Sequence, residues 1–261
     1  MEKVGCPVIE FDDFSCGYRN GESVLSGVSV ALSAGSFSAI IGPNGAGKSS
    51  LLRSLVRLMP WHSGRASLFG RSLSSFSARE LSRSVALVSS KAPALGSTVA
   101  DYVMLGRTPF RSIFSVADSR ADCVWVEDAI STVGISSLKC TPMSMLSDGQ
   151  RQMAGLARAI AQQPKLLLLD EPTSNLDPRN AVRVLSAVRG LCDNQGLTAV
   201  AVLHDINAAL HWADFAIVMS KGRVLFSGAV RDVLTPSNMS AAFGTPFVMT
   251  DAILPSSQSP L

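Results

Sequence analysis

The stretch FSAIIGPNGAGKSSLLRSLVRLM, residues 37–59, decides the fold of this chain. It opens with a continuous apolar run, Phe37–Ile41, which is typical of a strand buried on both faces of a parallel sheet. A loop with three glycines follows. Beyond the loop, apolar residues recur with helical spacing at Leu51, Leu52, Leu55, Val56 and Met59. The stretch therefore predicts a strand, a glycine-rich loop and a helix in direct succession.

The loop GPNGAGKS, Gly42–Ser49, fits the pattern G-x-x-x-x-G-K-[ST]. Its glycines allow a tight turn with inward N–H groups, which form a phosphate site together with the helix N-terminus. Lys48 adds a mobile charge for the β and γ phosphates, and Ser49 offers a hydroxyl to Mg²⁺. The alternative, a glycine-rich turn that caps an ordinary helix, leaves Lys48 unexplained. The predicted nucleotide-binding residues of the loop are Gly42, Pro43, Asn44, Gly45, Ala46, Gly47, Lys48, Ser49 and Ser50.

A second apolar run ends in two acids, in KLLLLDEPTSNLD, residues 165–177. The carboxyl ends of strands in open α/β sheets are where ligands bind. We expect Asp170 to hold Mg²⁺, directly or through water. Glu171 is expected to act as general base for water that attacks the γ-phosphate. A strand that ends in a solvated acidic turn is the alternative.

The rest of the chain predicts an α/β fold with a mainly parallel sheet, because further buried runs alternate with helical segments. The N-terminal stretches 8–16 and 28–33 alternate loosely and predict an antiparallel β subdomain. No buried strand run occurs between about Ser97 and Gln162, where Thr98 and Asp101 have capping-box spacing. We therefore expect one domain, with a P-loop NTPase core at 1–96 and 163–245, an inserted helical subdomain at 97–162 and a tail at 246–261.

Composition narrows the function. Apolar residues make up 47% of the 261 and charged residues 16%, which suits a globular chain. The formal net charge of +3 is too small to predict a nucleic-acid partner. The sequence shows no apolar run near the roughly 18 residues of a membrane span. The N-terminus lacks the pattern of a signal peptide, so we expect the cytoplasm, with five reduced cysteines.

Several motifs together resemble the nucleotide-binding subunit of an ABC transporter. They are GPNGAGKS, LSDGQ (Leu146–Gln150), LLLLDEP, SNLD (Ser174–Asp177) and His204 in VAVLHD, and their order is similar to that family from about Val8 to Phe243. The segments VMLGRTPF, 103–110, and VLTPSNMSAAFG, 233–244, resemble the branch that serves importers of iron chelates, haem and cobalamin.

The resemblance implies a shared site. Ser147, Gly149 and Gln150 would bind the γ-phosphate held by the opposite subunit, so that ATP joins two copies head to tail. His204 would contact the γ-phosphate, Asp177 would link the two composite sites and Tyr18 would stack on adenine. Plain structural alternatives stay open: LSDGQ alone is a serine helix cap, Asp177 an N-cap before Pro178, and Tyr18 a packing residue.

Two departures from the family pattern stand out. Asp148 replaces the usual glycine, and we expect its carboxylate to point away from the nucleotide. The family normally places a glutamine after the strand VALV, whereas this chain has SSKAP there. Ser90 occupies that position by offset, and we expect it to reach the metal through a water molecule.

The resemblance implies an ATPase that powers an importer from the cytoplasmic face of the membrane. Its expected partners are a second copy, a separate integral-membrane permease and, indirectly, an extracytoplasmic substrate-binding protein. One alternative is a non-transport ABC ATPase of DNA repair or iron–sulfur assembly, although repair members usually carry long coiled coils. Another is a non-catalytic clamp, which would require loss of Lys48 or Glu171.

Overall fold

The computed structural model describes residues 7–18, 22–89, 96–111, 119–174 and 176–249. In chain order its strands are β1 (Ile9–Gly17), β2 (Ser23–Leu32), β3 (Phe37–Ile41), β4 (Trp61–Leu68), β5 (Arg71–Ser72), β6 (Val85–Val88), β7 (Leu166–Asp170), β8 (Thr198–Val202), β9 (Phe215–Ser220) and β10 (Arg223–Ala229). Its α-helices are α1 (Lys48–Leu55), α2 (Ala78–Ser84), α3 (Val99–Met104), α4 (Arg120–Thr132), α5 (Asp148–Ala161), α6 (Pro178–Gln195), α7 (Ile206–Trp212), α8 (Val230–Val233) and α9 (Pro236–Phe243). The chain forms two compact units, divided after Ser77 and again after Val188.

The first unit contains an antiparallel sheet and a mainly parallel one. The antiparallel sheet has the order β2-β1-β4-β5, which confirms the N-terminal β subdomain. In the other sheet β3 lies between β8 and β9 and runs parallel to both, and β10 pairs with β9 in the antiparallel sense. All residues of β3 and β8 are buried, as their continuous apolar runs predict.

An ionic latch holds the beginning of β3. Asp214 precedes β9, and its Oδ2 accepts hydrogen bonds from the Phe37 amide at 2.9 Å and from Nη1 of Arg189 at 2.7 Å. The amide of Asp214 donates in turn to the carbonyl of Phe37 at 2.8 Å. Carboxylates that accept several hydrogen bonds, one from a cation, fix their partners more firmly than neutral groups do. The strand that leads into the glycine-rich loop is thus anchored at its amino end.

Helix α1 is shorter than the sequence predicts. The apolar spacing extends to Met59, but the helix ends at Leu55, and Leu58 is 65% exposed. Arg57 takes a φ of 59°, and the amide of Leu58 reaches back to the carbonyl of Arg53 at 2.9 Å. This is a left-handed helix stop made without glycine. The guanidinium of Arg57 donates to the carbonyl of Phe76 at 2.8 Å, which helps to hold this conformation.

The second unit, Ala78–Val188, combines one parallel strand pair with helices. Strand β6 pairs with β7 in parallel, with Val88 opposite Leu169. Helix α3 begins with the predicted capping box of Thr98 and Asp101, and α5 packs against both α3 and α4. Among the described residues, none of the helices is long and apolar enough to cross a membrane.

A buried arginine organises the segment VMLGRTPF of this unit. Arg107 donates from Nε to Oδ1 of Asp122 at 2.7 Å and from Nη1 to the carbonyl of Ala161 at 2.8 Å. Its guanidinium lies 4.1 Å from the centre of the Phe110 ring. Burial works to raise the pKa of Asp122, but hydrogen bonds from Arg107 and Ser119 outweigh it and hold that pKa below its usual value. The segment is therefore well packed and held in place by the contacts of Arg107.

Candidate functional site

Two glycines of the loop after β3 are required by close packing. A Cβ on Gly42 would lie 2.1 Å from the carbonyl oxygen of Met219, and a Cβ on Gly47 would lie 2.7 Å from Cδ2 of Leu25. Both residues also have positive φ, 154° and 95°. Other residues rarely adopt such angles. The loop can keep this shape only with glycine at these positions.

Lys48 is folded into the loop. It is 5% exposed, and its ammonium donates to the carbonyls of Gly42 at 2.8 Å and Pro43 at 2.9 Å. Ser49 lies in the first turn of α1, and Gly47 is the N-cap. Within the described residues of α1, the first turn carries no acid and no side chain caps Gly47. The helix N-terminus therefore keeps its positive end for an anion.

A turn elsewhere in the first unit supports the loop. The amide of Gly222, between β9 and β10, donates to the carbonyl of Ala46 at 3.1 Å. The carbonyl of Gly222 accepts from the amide of Ser26 at 2.9 Å. Sequence reasoning missed this support, because Gly222 shows only an ordinary turn signal and Ser26 lies outside the predicted strands.

His204 lies at the carboxyl end of β8, next to the strand that leads into the loop. Ile40 is opposite Val202, and the amide of Leu203 donates to the carbonyl of Ile40 at 3.1 Å. Asp205 then caps α7 and fixes the chain immediately after the histidine. The first unit therefore brings His204 to the same sheet edge as the start of the glycine-rich loop.

Tyr18 and Ser90 are less well defined by the structure. Tyr18 follows β1 and is 53% exposed, so its ring is accessible, but no described contact assigns it to a nucleotide. Ser90 lies outside the described residues. The prediction that it reaches the metal through water stays a prediction.

The second unit contains the paired acids. Asp170 is the last residue of β7 and is 7% exposed. Glu171 has a φ of 54°, an unfavourable conformation for a glutamate. The amide and hydroxyl of Ser174 both donate to the carbonyl of Glu171, at 3.2 and 3.0 Å. The turn thus holds Glu171 in a strained backbone position directly after a buried carboxylate, a combination typical of functional sites.

The LSDGQ segment begins helix α5 with a reciprocal cap. Ser147 Oγ accepts from the amide of Gln150 at 3.3 Å, and Gln150 Oε1 accepts from the amide of Ser147 at 2.9 Å. Asp148 forms an ion pair with Arg151 on the same helix. Arg151 also donates to the carbonyl of Leu146 at 2.6 Å. The carboxylate that departs from the family pattern is thus neutralised by its own helix.

Asp177 caps helix α6. Its Oδ1 accepts from the amide of Asn180 at 2.9 Å, and its backbone carbonyl accepts from the amide of Ala181 at 3.0 Å. Pro178 is the first residue of the helix, as its fixed φ and missing N–H favour. The structural alternative for Asp177 therefore holds, and it leaves room for a further role.

A glycine-rich loop between a buried parallel strand and a helix, with an inward lysine, defines a P-loop nucleotide-binding protein. The profile of the ABC transporter family matches residues 25–174, more than half of the chain. The hemin import ATP-binding protein HmuV of Bordetella pertussis is 36% identical over 236 residues, covering 87% of this chain and 88% of that relative. This chain therefore belongs to the ABC transporter family.

A further relative and a solved structure also match this chain. The cobalamin import ATP-binding protein BtuD of Halobacterium salinarum is 36% identical over 224 residues, which is 85% of this chain but only 56% of that relative. This chain thus spans little more than half of the cobalamin relative. A chain from an inward-facing ABC transporter, assigned to the metal-chelate type, matches with a TM-score of 0.80 and 28% identity. It covers 92% of this chain and 90% of its own, which confirms the fold of an ABC ATPase.

Proposed function

We propose that this chain hydrolyses ATP to power an importer of iron chelates, haem or cobalamin. The observation that carries hydrolysis is Glu171, which a strained turn holds immediately after the buried Asp170. The import role is supported by relatives named for hemin, cobalamin and ferric enterobactin import, at 34–36% identity. The segments 103–110 and 233–244 support the same branch.

Phosphate binding is assigned to the loop of the first unit. The amides from Gly42 to Ser50 and the N-terminus of α1 offer donors to the phosphates. Lys48 is already directed into the loop, so a phosphate oxygen can replace one of its carbonyl partners with little movement. Tyr18 provides an exposed ring on which adenine can stack.

We propose Mg²⁺ as the cation that accompanies ATP, because the hydroxyl of Ser49 and the buried carboxylate of Asp170 are oxygen ligands of the kind that it prefers. Among the described residues, no cluster of three or more His, Cys, Asp or Glu side chains could hold a metal ion. A cation here would rest on substrate phosphates and one or two protein oxygens, which is how Mg²⁺ is commonly bound. We assign those protein oxygens to Ser49 and Asp170. Mg²⁺ held there would neutralise negative charge on the phosphate oxygens and so lower the barrier to hydrolysis.

The remaining residues act on the γ-phosphate. Glu171 accepts the proton of the attacking water, and His204 donates a hydrogen bond to a γ-phosphate oxygen. Ser147, Gly149 and Gln150 contribute the N-terminus of α5 from the opposite copy. We place Asp177 at the connection between the two composite sites.

The partners follow from this assignment. Two copies join head to tail around ATP, and they drive a separate integral-membrane permease. We place the subunit on the cytoplasmic face of the membrane, with an extracytoplasmic protein that delivers the substrate. We treat the chain as one ABC ATPase domain with the helical stretch 97–162 inserted in it.

Glu171→Gln tests the hydrolytic role. It keeps the shape of the side chain and removes the base, so ATP still binds while turnover falls about 10²–10⁴-fold. Glu127→Gln is the matched control, because Glu127 is an exposed acid of the same unit paired with Lys139, and it retains the parent rate. Parental turnover in Glu171→Gln would refute the assignment of the base.

Co-purification tests the transport role. The tagged chain, extracted with its membranes in detergent, is expected to carry a membrane-spanning permease identified by mass spectrometry. A chain that hydrolyses ATP normally but brings down only soluble partners would instead support a non-transport ABC ATPase.

A further inference from the structure

We propose that Asn180 is a positioning residue that couples Asp177 to the N-terminus of helix α5. The proposal rests on the proposed function, because it assigns a purpose to two segments expected to face the second copy. Gly149, Asp177 and Asn180 all belong to the second unit. None of the motifs that resemble the family includes Asn180, which lies three residues beyond the end of SNLD.

Asn180 binds both oxygens of one carboxylate. Its amide N–H donates to Oδ1 of Asp177 at 2.9 Å, and its side-chain Nδ2 donates to Oδ2 at 2.7 Å. The first bond is the ordinary cap of α6 and needs no particular side chain. The second bond depends on the asparagine amide and fixes the rotation of the Asp177 carboxylate.

The same amide packs on the start of α5. A Cβ on Gly149 would lie 2.9 Å from Nδ2 of Asn180, 3.2 Å from its Cγ and 3.6 Å from its Cβ. Gly149 is buried and lies two residues after the cap residue Ser147. Glycine at this position therefore lets the Asn180 side chain lie directly against the backbone of the LSDGQ segment.

These contacts make a short rigid path from Asp177 through Asn180 to Gly149. A displacement of the Asp177 carboxylate moves the Asn180 amide, which in turn presses on or releases the first turn of α5. The N-terminus of that helix is the part assigned to the opposite γ-phosphate. Asn180 thus keeps the two surfaces that meet the second copy in register with each other.

Asn180→Ala separates this role from helix capping. The substitution keeps the backbone bond to Asp177 and removes only the side-chain bridge. The expected result is an unchanged ATP affinity and melting temperature, with a Hill coefficient for hydrolysis that falls to about 1. In the Glu171→Gln background, ATP-dependent dimerisation weakens about tenfold, because Asp177 and the N-terminus of α5 are no longer held in register for the second copy; the lost hydrogen bond is present in the monomer too and is not itself a contact between copies.

Gly149→Ala disrupts the contact between Gly149 and the Asn180 side chain by a change on helix α5. Its Cβ must displace the Asn180 amide, so it reproduces the loss of cooperativity. In the double variant Gly149→Ala/Asn180→Ala, the losses of ATP-dependent dimer affinity are not additive, because the amide is already absent and the remaining Cβ contact of 3.6 Å is ordinary. Asn194→Ala, at an exposed position on the same helix, is the matched control and behaves as the parent.

The outcomes separate the two proposals. A parent chain without ATP-dependent dimerisation or cooperative hydrolysis would overturn the proposed function, and this inference with it. If the parent is cooperative and Asn180→Ala has the same Hill coefficient and dimer affinity as the parent, the inference about Asn180 is overturned while the proposed function stands. Additive losses in the double variant, or a fall in melting temperature that accounts for all changes, would reduce Asn180 to a structural residue.

Discussion

Glu171 provides a test of strain at the proposed catalytic centre. Its φ of 54° places it in the left-handed region. There a residue with a Cβ pays about 1–2 kcal/mol. Glycine avoids that strain but loses about 0.5–1 kcal/mol through the greater freedom of the unfolded chain. We therefore expect Glu171→Gly to be more stable than Glu171→Ala by about 0.5–1 kcal/mol.

The order of stability of Glu171→Gly and Glu171→Ala distinguishes a strained backbone position from an ordinary one. In ordinary helix or strand positions, glycine is the less stable of the pair by about 0.5–1 kcal/mol. Urea unfolding of both variants measures the difference, and ATP turnover measures function. Both variants lose hydrolysis because both lose the carboxylate, whereas the hydrogen bonds from Ser174 to the backbone carbonyl survive in each.

Gln163 supplies the control. It has a φ of 51°, lies in the same unit and is exposed. Gln163→Gly and Gln163→Ala should show the same stability order while ATP turnover stays at the parent rate. If the glycine variant is less stable than the alanine variant at residue 171, but not at residue 163, the claim that the turn after β7 is strained is refuted.

Three further changes test other parts of the reasoning. Ser147→Arg should abolish cooperative hydrolysis while monomers still bind ATP, and a retained Hill coefficient above one would contradict the shared site. Gly45→Ala should weaken ATP binding measured by calorimetry about tenfold, whereas Gly70→Ala, also with positive φ and open space around it, should not. Arg107→Met should lower the free energy of unfolding by about 3 kcal/mol at neutral pH. That loss should begin to shrink as the pH falls below about 4, the ordinary pKa of an aspartate in the unfolded chain, and should shrink further below the lowered pKa of Asp122 in the folded parent, where protonation removes the ion pair with Arg107.

The sequence predicts the buried strands well, because each is a short continuous apolar run. The apolar runs FSAII and VALV coincide with β3 and β6 to the residue. Strand β4 escaped prediction, since its first five residues are exposed and only Ala66 and Leu68 are buried. Its pairing with β1 decides its conformation, and such non-local contacts leave no periodic pattern in the sequence.

The residues of the candidate site could be predicted from the sequence, but the contacts that hold them in place could not. Spacing alone identified Lys48 and the helix cap at Ser147, because both are local patterns, but not the reciprocal bond from Gln150. The φ of Glu171 and the contact of Gly149 with Asn180 depend on backbone geometry set by tertiary packing. The prediction of where α1 ends was wrong for a similar reason. Apolar residues continue at helical spacing past Arg57, whereas the positive φ of Arg57 does not allow the helix to continue.

The ionic latch at β3 has a consequence for synthesis of the chain. Strand β3 emerges from the ribosome long before its neighbours β8 and β9, which begin at Thr198 and Phe215. At about 5–20 residues per second, roughly 8–30 s pass before those neighbours exist. Strands β1, β2 and β4 are close in sequence and can pair during that interval. The nascent chain can therefore hold the paired strands β1, β2 and β4 beside an apolar strand β3 that still lacks β8 and β9, and Asp214 reaches Phe37 only near the end of translation.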